Sequence, residues 1–436
     1  MTETEKLPNV STQTLEVELG QRGEDRSVTV QPAALTFDSG AKAWCNLIGG
    51  WCALFATFGY TNAFGVYQDF YTRSDTASAS AISWIGSTQV FLLTSLGLIS
   101  GKLLDHGYFR HTIFAGSVLY VFSLFMLSIA DTSVYYQLFL AQGVGMGLGG
   151  GLIYIPCVAI QSHHWRARRA MAIGIVFTGS SLGGIVFPIM LNQLLSEGTS
   201  FGWSVRATAF VVLGLLALVN ILMSPRAEML VRSEAHLADL KAVITDVPYM
   251  LTIFGAFCGM LGIFYPYFYT QLFAITHGVD SNVAFYTIAM LNAGSIPGRV
   301  LPGILAHRLG TFNFLIFSTA AMAVVIFALF GISSVGGIVV FAILAGLFSG
   351  AYFSLLAAAM ASFARTPGEA GLRMGLSFAL AALGLLTGTP IIGALLGSNL
   401  VWSKTIIFSG VTVVAGLIVF VLSRQIVAHR KASQIV

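Results

Sequence analysis

The sequence predicts an all-α membrane protein whose twelve transmembrane helices form two six-helix bundles. Three observations carry that expectation. Charged residues make up only 9% of the 436, while 56% are hydrophobic and the mean hydropathy is +0.82; a soluble domain carries about 25% charge. Apolar stretches of about 20 residues, the length that spans a bilayer, recur twelve times. The cationic residues between those stretches fall almost wholly on one side of the layer they define.

The composition also excludes other classes. A chain this poor in charge cannot cover a water-facing globule, and one this rich in aromatics is not disordered. The net charge of +4 is small and scattered, so nucleic acid is not an expected partner. Cys45, Cys52, Cys157 and Cys258 show neither CxxC nor metal-ligand spacing and read as packing thiols. No cofactor, metal or catalytic set is expected, and an enzyme is not.

The twelve spans are read at 44–67, 81–101, 111–130, 134–160, 169–192 and 203–223, then 249–274, 282–305, 312–331, 335–363, 370–396 and 402–423. Residues 1–43 form an N-terminal tail without a secretory signal. Residues 44–223 form the first bundle, 224–248 a charged linker, 249–424 the second bundle and 425–436 a C-terminal tail. With this count, 18 of the 22 Lys and Arg share the side of the termini. Arg73 and Lys404 lie opposite, and Arg206 and Arg299 lie inside spans. The positive-inside rule then puts both termini in the cytoplasm, of the plasma membrane as the expected location.

The halves repeat. Gly101-Lys-Leu-Leu-Asp105 follows span 2, and Gly303-Ile-Leu-Ala-His307-Arg308 follows span 8, with the leading glycines 202 positions apart; Pro188 and Pro390 share that offset. Such an internal offset points to parallel repeats about an axis along the membrane normal.

The turn after span 2 resembles the signature loop of the major facilitator superfamily. Two further segments are similar to the monocarboxylate transporter family within it, nearest to its fungal branch. One is Asp38-Ser39-Gly40 followed by Trp44 and by Phe58-Gly59-Tyr60-Thr61-Asn62-Ala63-Phe64-Gly65-Val66-Tyr67. The other is Trp165-Arg166-Ala167-Arg168-Arg169-Ala170-Met171-Ala172-Ile173-Gly174, running into Gly179-Ser180-Ser181-Leu182-Gly183-Gly184. The resemblance covers residues 38–424. It implies the major facilitator fold and a secondary transporter working by alternating access, carrying a small monocarboxylate or related organic anion, with protons as a candidate symported partner. The rival reading is an exporter of a larger apolar metabolite; a non-transporting nutrient sensor is a third. The protein is expected to work as a monomer in the lipid bilayer.

Arg299 is the most informative residue. A cation inside a span costs at least about 2.5 kcal/mol and should face the bundle interior with a partner. Among the 18 acidic residues none lies at mid-helix. An unpaired guanidinium suits a carboxylate ligand, and the resemblance implies an essential Arg at this place. The alternative is a structural or gating Arg that snorkels or bonds helix carbonyls. Two departures stand out: Ser295 occupies the place of the family's acid one turn before the Arg, and Asn62 that of its Lys in span 1. Asn62, Asn292, Ser295, Tyr60, Tyr67, Tyr154, Tyr265 and Tyr352 are the other candidate substrate contacts; Gln161, Ser354, and Tyr267 and Tyr269 around Pro266 in span 7 are further polar candidates. Gly101, Asp105, Arg110, Gly303 and Arg308, around the two copies of the turn, are the expected conformational latch. Asp105 would cap a helix or pair with an Arg there. The glycines from Gly143 to Gly151 in span 4 read as a close-packing run, and Arg206 as a partner of Glu197 or an anion recruiter.

Overall fold

The structure is a computed structural model. It describes residues 39–74, 76–77, 79–226, 243–364, 369–397 and 400–434. The expected tail through residue 38, and linker residues 227–242 with Glu228, Arg232, Glu234, Asp239 and Lys241, lie outside the described residues.

The described chain is all helix and turn. Ten helices are long and apolar enough to cross a membrane among the described residues: Ala81–Asp105 (span 2), Phe109–Ile129 (span 3), Tyr135–His164 (span 4), Arg169–Ser196 (span 5), Phe201–Leu222 (span 6), Val247–Thr276 (span 7), Thr311–Gly331 (span 9), Val335–Ser362 (span 10), Gly371–Leu396 (span 11) and Trp402–Arg430 (span 12). Two more rods complete the twelve. Span 8 is Ser281–Leu309, less apolar because Asn292, Ser295, Arg299 and two prolines interrupt it. Span 1 is broken into Ala41–Leu54, a π-helical turn at Phe55–Gly59, and Phe64–Arg73.

The break in span 1 departs from the continuous helix read over 44–67. Its cause is local. The Thr57 hydroxyl donates to Ala53 O and the Thr61 hydroxyl to Thr57 O, and such back-bonding loosens and bends a helix. Gly59 lies flat on span 5: a Cβ there would sit 2.8 Å from the Gly183 Cα. Span 7 breaks at Phe264, between Val247–Ile263 and Tyr265–Thr276. There Pro266 withholds the N–H that a continuous helix needs. Asn62 and Phe264, where the two spans break, are 202 positions apart, so the offset seen in the turns also governs the kinks.

The last helix runs to Lys431, not to a tail beginning at 425. A hydrogen bond and an ion pair hold this end of the helix: Arg424 donates to Asn313 Oδ1 at 3.0 Å, and Arg430 bridges to Asp246 at 2.8 Å.

Spans 3, 6, 9 and 12 present rows of exposed apolar side chains, among them Phe114, Val118 and Phe122 on span 3 and Ile407, Val411 and Ile418 on span 12. In a membrane protein these rows face lipid. Within the first bundle the glycine run of span 4 lets it close on spans 2 and 3; a Cβ on Gly149 would lie 2.6 Å from the Tyr120 amide, as small-residue helix interfaces in membranes require. All four cysteines are free.

Candidate functional site

Two antiparallel helix pairs join the bundles. Span 5 packs on span 8, and span 2 on span 11; the 202-residue offset maps one pair onto the other. Both seams lie toward the end of the molecule where the described chain begins, at Ser39, and ends, at Gln434.

The span 2–span 11 seam is built from glycine. A Cβ on Gly101 would come within 2.1 Å of Gly371 O, and one on Gly375 within 2.0 Å of Gly97 O. Asp105 closes it: its carboxyl accepts the Gly371 N–H at 3.1 Å and the Leu372 N–H at 2.6 Å. These amides stand in the first turn of span 11, where a helix leaves its N–H groups without intrahelical partners. Arg169 of span 5 adds a bond across the bundles, donating to Ala361 O near the end of span 10 at 3.3 Å. Arg110 and Arg308, expected beside Asp105, are instead exposed, and Asp105 is satisfied by backbone amides. Gly303 packs on the head of span 5, 2.8 Å from Ala170 O if given a Cβ. The His307 side chain lies outside the described residues.

The span 5–span 8 seam is polar. Descending span 8, Asn292 Nδ2 donates to Gly184 O at 3.4 Å and to Ile288 O at 3.0 Å. The Ser295 hydroxyl meets the Ser181 hydroxyl at 2.6 Å. The Arg299 guanidinium donates to Phe177 O and to Ser180 Oγ, with its Cζ 5.7 Å from the Phe177 ring centre. Arg299 is 2% exposed. Tyr154 and Tyr267 are its other polar neighbours, and no carboxylate among the described residues pairs with it. Asn292, Ser295 and Arg299 recur every three to four residues, so they share one face of the helix, and that face looks at span 5.

Above the seams, away from the termini, a cavity of about 460 Å³ opens between the bundles. Its floor is aromatic. Phe58, beside the break in span 1, and Phe264, at the break in span 7, stand between it and a smaller pocket walled by Tyr154, Phe353 and Phe378. Its walls combine apolar side chains with Thr61, Asn62, Gln68, Ser87, Gln271 and Thr389. Asp69 is the one charged side chain on the described lining, and Arg73 pairs with it at 2.9 Å.

Of the residues singled out in the sequence, Asn62 lines this cavity. Tyr60 and Tyr67 do not: their hydroxyls bond each other at 2.5 Å, and Tyr60 also bonds Thr208 at 2.8 Å, inside the first bundle. Tyr352 is likewise internal to the second bundle, donating to Ala256 O at 3.3 Å. Tyr265 is buried and stacks on Tyr269, centroids 5.7 Å apart. Gln161 is tied to Asn46 O at 3.0 Å, and Ser354 bonds back to its own helix. Arg206 lies over Trp203, 5.0 Å from the ring centre, and donates to Ser128 at 3.3 Å, so neither Glu197 nor an anion is needed to satisfy it.

Tyr267 and Tyr269, two of the expected polar candidates, line the cavity with Phe268 between them; nothing in the sequence says which face they take. Sequence reading missed two groups. Ser83 and Ser87 of span 2 line the cavity one helical turn apart, a weak signal that was available. Arg373, counted with the loop cations, is 1% exposed and bridges to Asp246 at 3.3 Å and Glu369 at 3.4 Å, over the Tyr249 ring at 5.2 Å.

The helices form two pseudo-symmetric bundles, closed at one end and cavitated at the other. Residues 48–365 match the family model of the Major Facilitator Superfamily; the chain belongs to that superfamily and is a membrane transporter, not an enzyme. It is similar to the aspyridones efflux protein apdF of Emericella nidulans, 37% identical over 87% of this chain and 77% of that protein. It is 37% identical to the MFS-type transporter pynF of Aspergillus niger, over 90% and 91%, and 38% identical to the agnestins efflux protein AgnL12 of Paecilomyces divaricatus, over 87% and 86%. Among solved structures, the transporter FucP in its outward conformation covers 87% of this chain and 98% of its own at a TM-score of 0.67 and 14% identity. The proton:xylose symporter XylE covers 88% and 95% at 0.69 and 13%; these two likenesses bear on fold. The named relatives are efflux and MFS-type transporters, so the monocarboxylate branch of the sequence resemblance gives way to the superfamily as the family shown.

Proposed function

We propose that the protein exports a largely apolar organic metabolite by alternating access, from the cytoplasm, where both termini would lie, across the plasma membrane. The single observation that carries this reading is the cavity: about 460 Å³, within the range that holds a drug-sized ligand, aromatic in floor and wall, and reached by no cation among its described lining residues. The efflux proteins for aspyridones and agnestins among its relatives support the outward direction.

A small monocarboxylate would need a cationic partner in the cavity. Arg299, the natural candidate, is not on the described lining of the cavity, and one of its guanidinium nitrogens donates to Phe177 O and Ser180 Oγ at the seam. That observation favours the structural and gating role for Arg299 over substrate contact, and with it the metabolite exporter over the anion carrier. Among the described lining residues no His or Glu is present and Asp69 is paired, so a coupled proton would have to be carried by another group. We place the working unit at one chain in the bilayer.

The test is retention. Yeast cells loaded with aspyridones or agnestins and expressing the protein should lose them several-fold faster than cells expressing a Gly375→Leu variant that cannot close the span 2–span 11 seam. Equal loss from both would contradict export.

A further inference from the structure

Asn62 and Asn292 come from opposite bundles and converge on one glycine. A Cβ on Gly184 would lie 2.7 Å from Asn62 Nδ2 and 2.9 Å from Asn292 Oδ1. Any larger residue would fill the space the two carboxamides share. Asn62 lies on the cavity wall, and its side chain makes no hydrogen bond to the described residues. Asn292 is 0% exposed; its amide nitrogen is used by Gly184 O and Ile288 O, but its Oδ1 is buried without a partner. Ile288, one turn above it, lines the cavity.

A buried amide oxygen left unpaired costs free energy that a bound partner would recover. The place therefore offers one free carboxamide at the wall and one free acceptor directly behind it, beside aromatic surface from Phe58 and Phe264. A carboxylate is poorly suited: it would face Asn292 Oδ1 as a second acceptor, desolvated, with no cation on the described wall.

We propose that Asn62, Asn292 and Gly184 form a recognition site for an uncharged group that both donates and accepts hydrogen bonds, such as a carboxamide, carried on an aromatic body. Asn62 binds its acceptor end and Asn292 Oδ1 its donor end. Because the two asparagines belong to different bundles, the ligand bridges them. The proposal rests on the exporter reading for its cavity and adds the substrate class: neutral and aromatic, hydrogen-bonding at one end.

The test uses the full chain in nanodiscs and two matched probes, radiolabelled 4-phenylbenzamide and 4-phenylbenzoate, by equilibrium dialysis. The benzamide should bind at least about tenfold more tightly than the benzoate, the loss typical of a missing buried hydrogen bond. Gly184→Ala and Asn62→Ala should each weaken benzamide binding about tenfold. Asn62→Ala sits on a partly open wall and leaves every described side-chain hydrogen bond intact, so it serves should Gly184→Ala fail to fold. Benzoate binding as tightly as benzamide, benzamide binding unchanged in Asn62→Ala, or no benzamide binding at all would each overturn the proposal. Failure of export reads differently. Benzamide binding that needs Asn62, without accumulation of benzamide in inside-out vesicles, would leave the site standing and remove the exporter. Accumulation indifferent to Asn62→Ala would do the reverse.

Discussion

The Asp105 carboxyl of span 2 accepts the Leu372 amide at the head of span 11, 2.6 Å away, and so ties the first bundle to the second at the end where the described chain begins and ends. With the Gly371 amide on its other oxygen, Asp105 answers two helix-end donors that would otherwise lack partners. Each such bond contributes about 0.5–1.5 kcal/mol. Asp105→Asn keeps one acceptor oxygen and loses the other. The closed state should weaken by about 1–2 kcal/mol. A cysteine at Ser295, in a background without the four native cysteines, should then be alkylated roughly tenfold faster from the termini side.

Gly375 tests the same seam by volume. A Cβ there would meet Gly97 O at 2.0 Å and the Gly97 carbonyl carbon at 2.5 Å, and backbone cannot yield as a side-chain tip can. Gly375→Ala should leave each bundle folded but hold the seam apart, lowering transport at least about tenfold. Transport at the wild-type rate would show that the two spans separate at no cost.

Arg299 holds the other seam through Phe177 O and Ser180 Oγ. It is a buried cation without a carboxylate, so an apolar side chain of similar length in its place strands no buried acid. Arg299→Met should therefore keep its unfolding temperature within a few degrees while the Ser295 cysteine becomes several-fold more reactive. A guanidinium serving only the ligand would leave that reactivity unchanged.

Arg373 is different, because its partners are acids. Removing it leaves Asp246, 10% exposed at its side chain, and Glu369 without their shared cation, though Arg430 still reaches Asp246. Breaking a buried pair costs about 3–5 kcal/mol. Arg373→Met should lower the unfolding temperature in detergent by several degrees, and Arg430→Met, exposed at the same acid, by much less.

The twelve spans were legible because each needs its own apolar length and each loop its own charge. Span 8 was found despite Asn292, Ser295 and Arg299, since its length and flanking turns survived them. The 202-residue offset located the paired turns at Gly101 and Gly303. What the sequence withheld was direction. The spacing of Asn292, Ser295 and Arg299 fixes that they share a face, but a polar face inside a bundle meets either a cavity or another helix. Only the position of span 5, set by Gly174 and Gly184, decides that it meets a helix. Tyr60 and Tyr352 raise the same question: a buried hydroxyl advertises a partner, and in this structure Thr208 and Ala256 O bond to it. Asn62 could be placed on the cavity wall only once the kink beside it was known.

The most direct measurement is accumulation in inside-out vesicles of labelled aspyridones and of labelled lactate, each with wild type and with Arg299→Met. The account predicts that wild type accumulates the aspyridones and not lactate, and that Arg299→Met slows the aspyridones without abolishing them. Lactate accumulation that vanishes in Arg299→Met would contradict it and return the cavity to an organic anion.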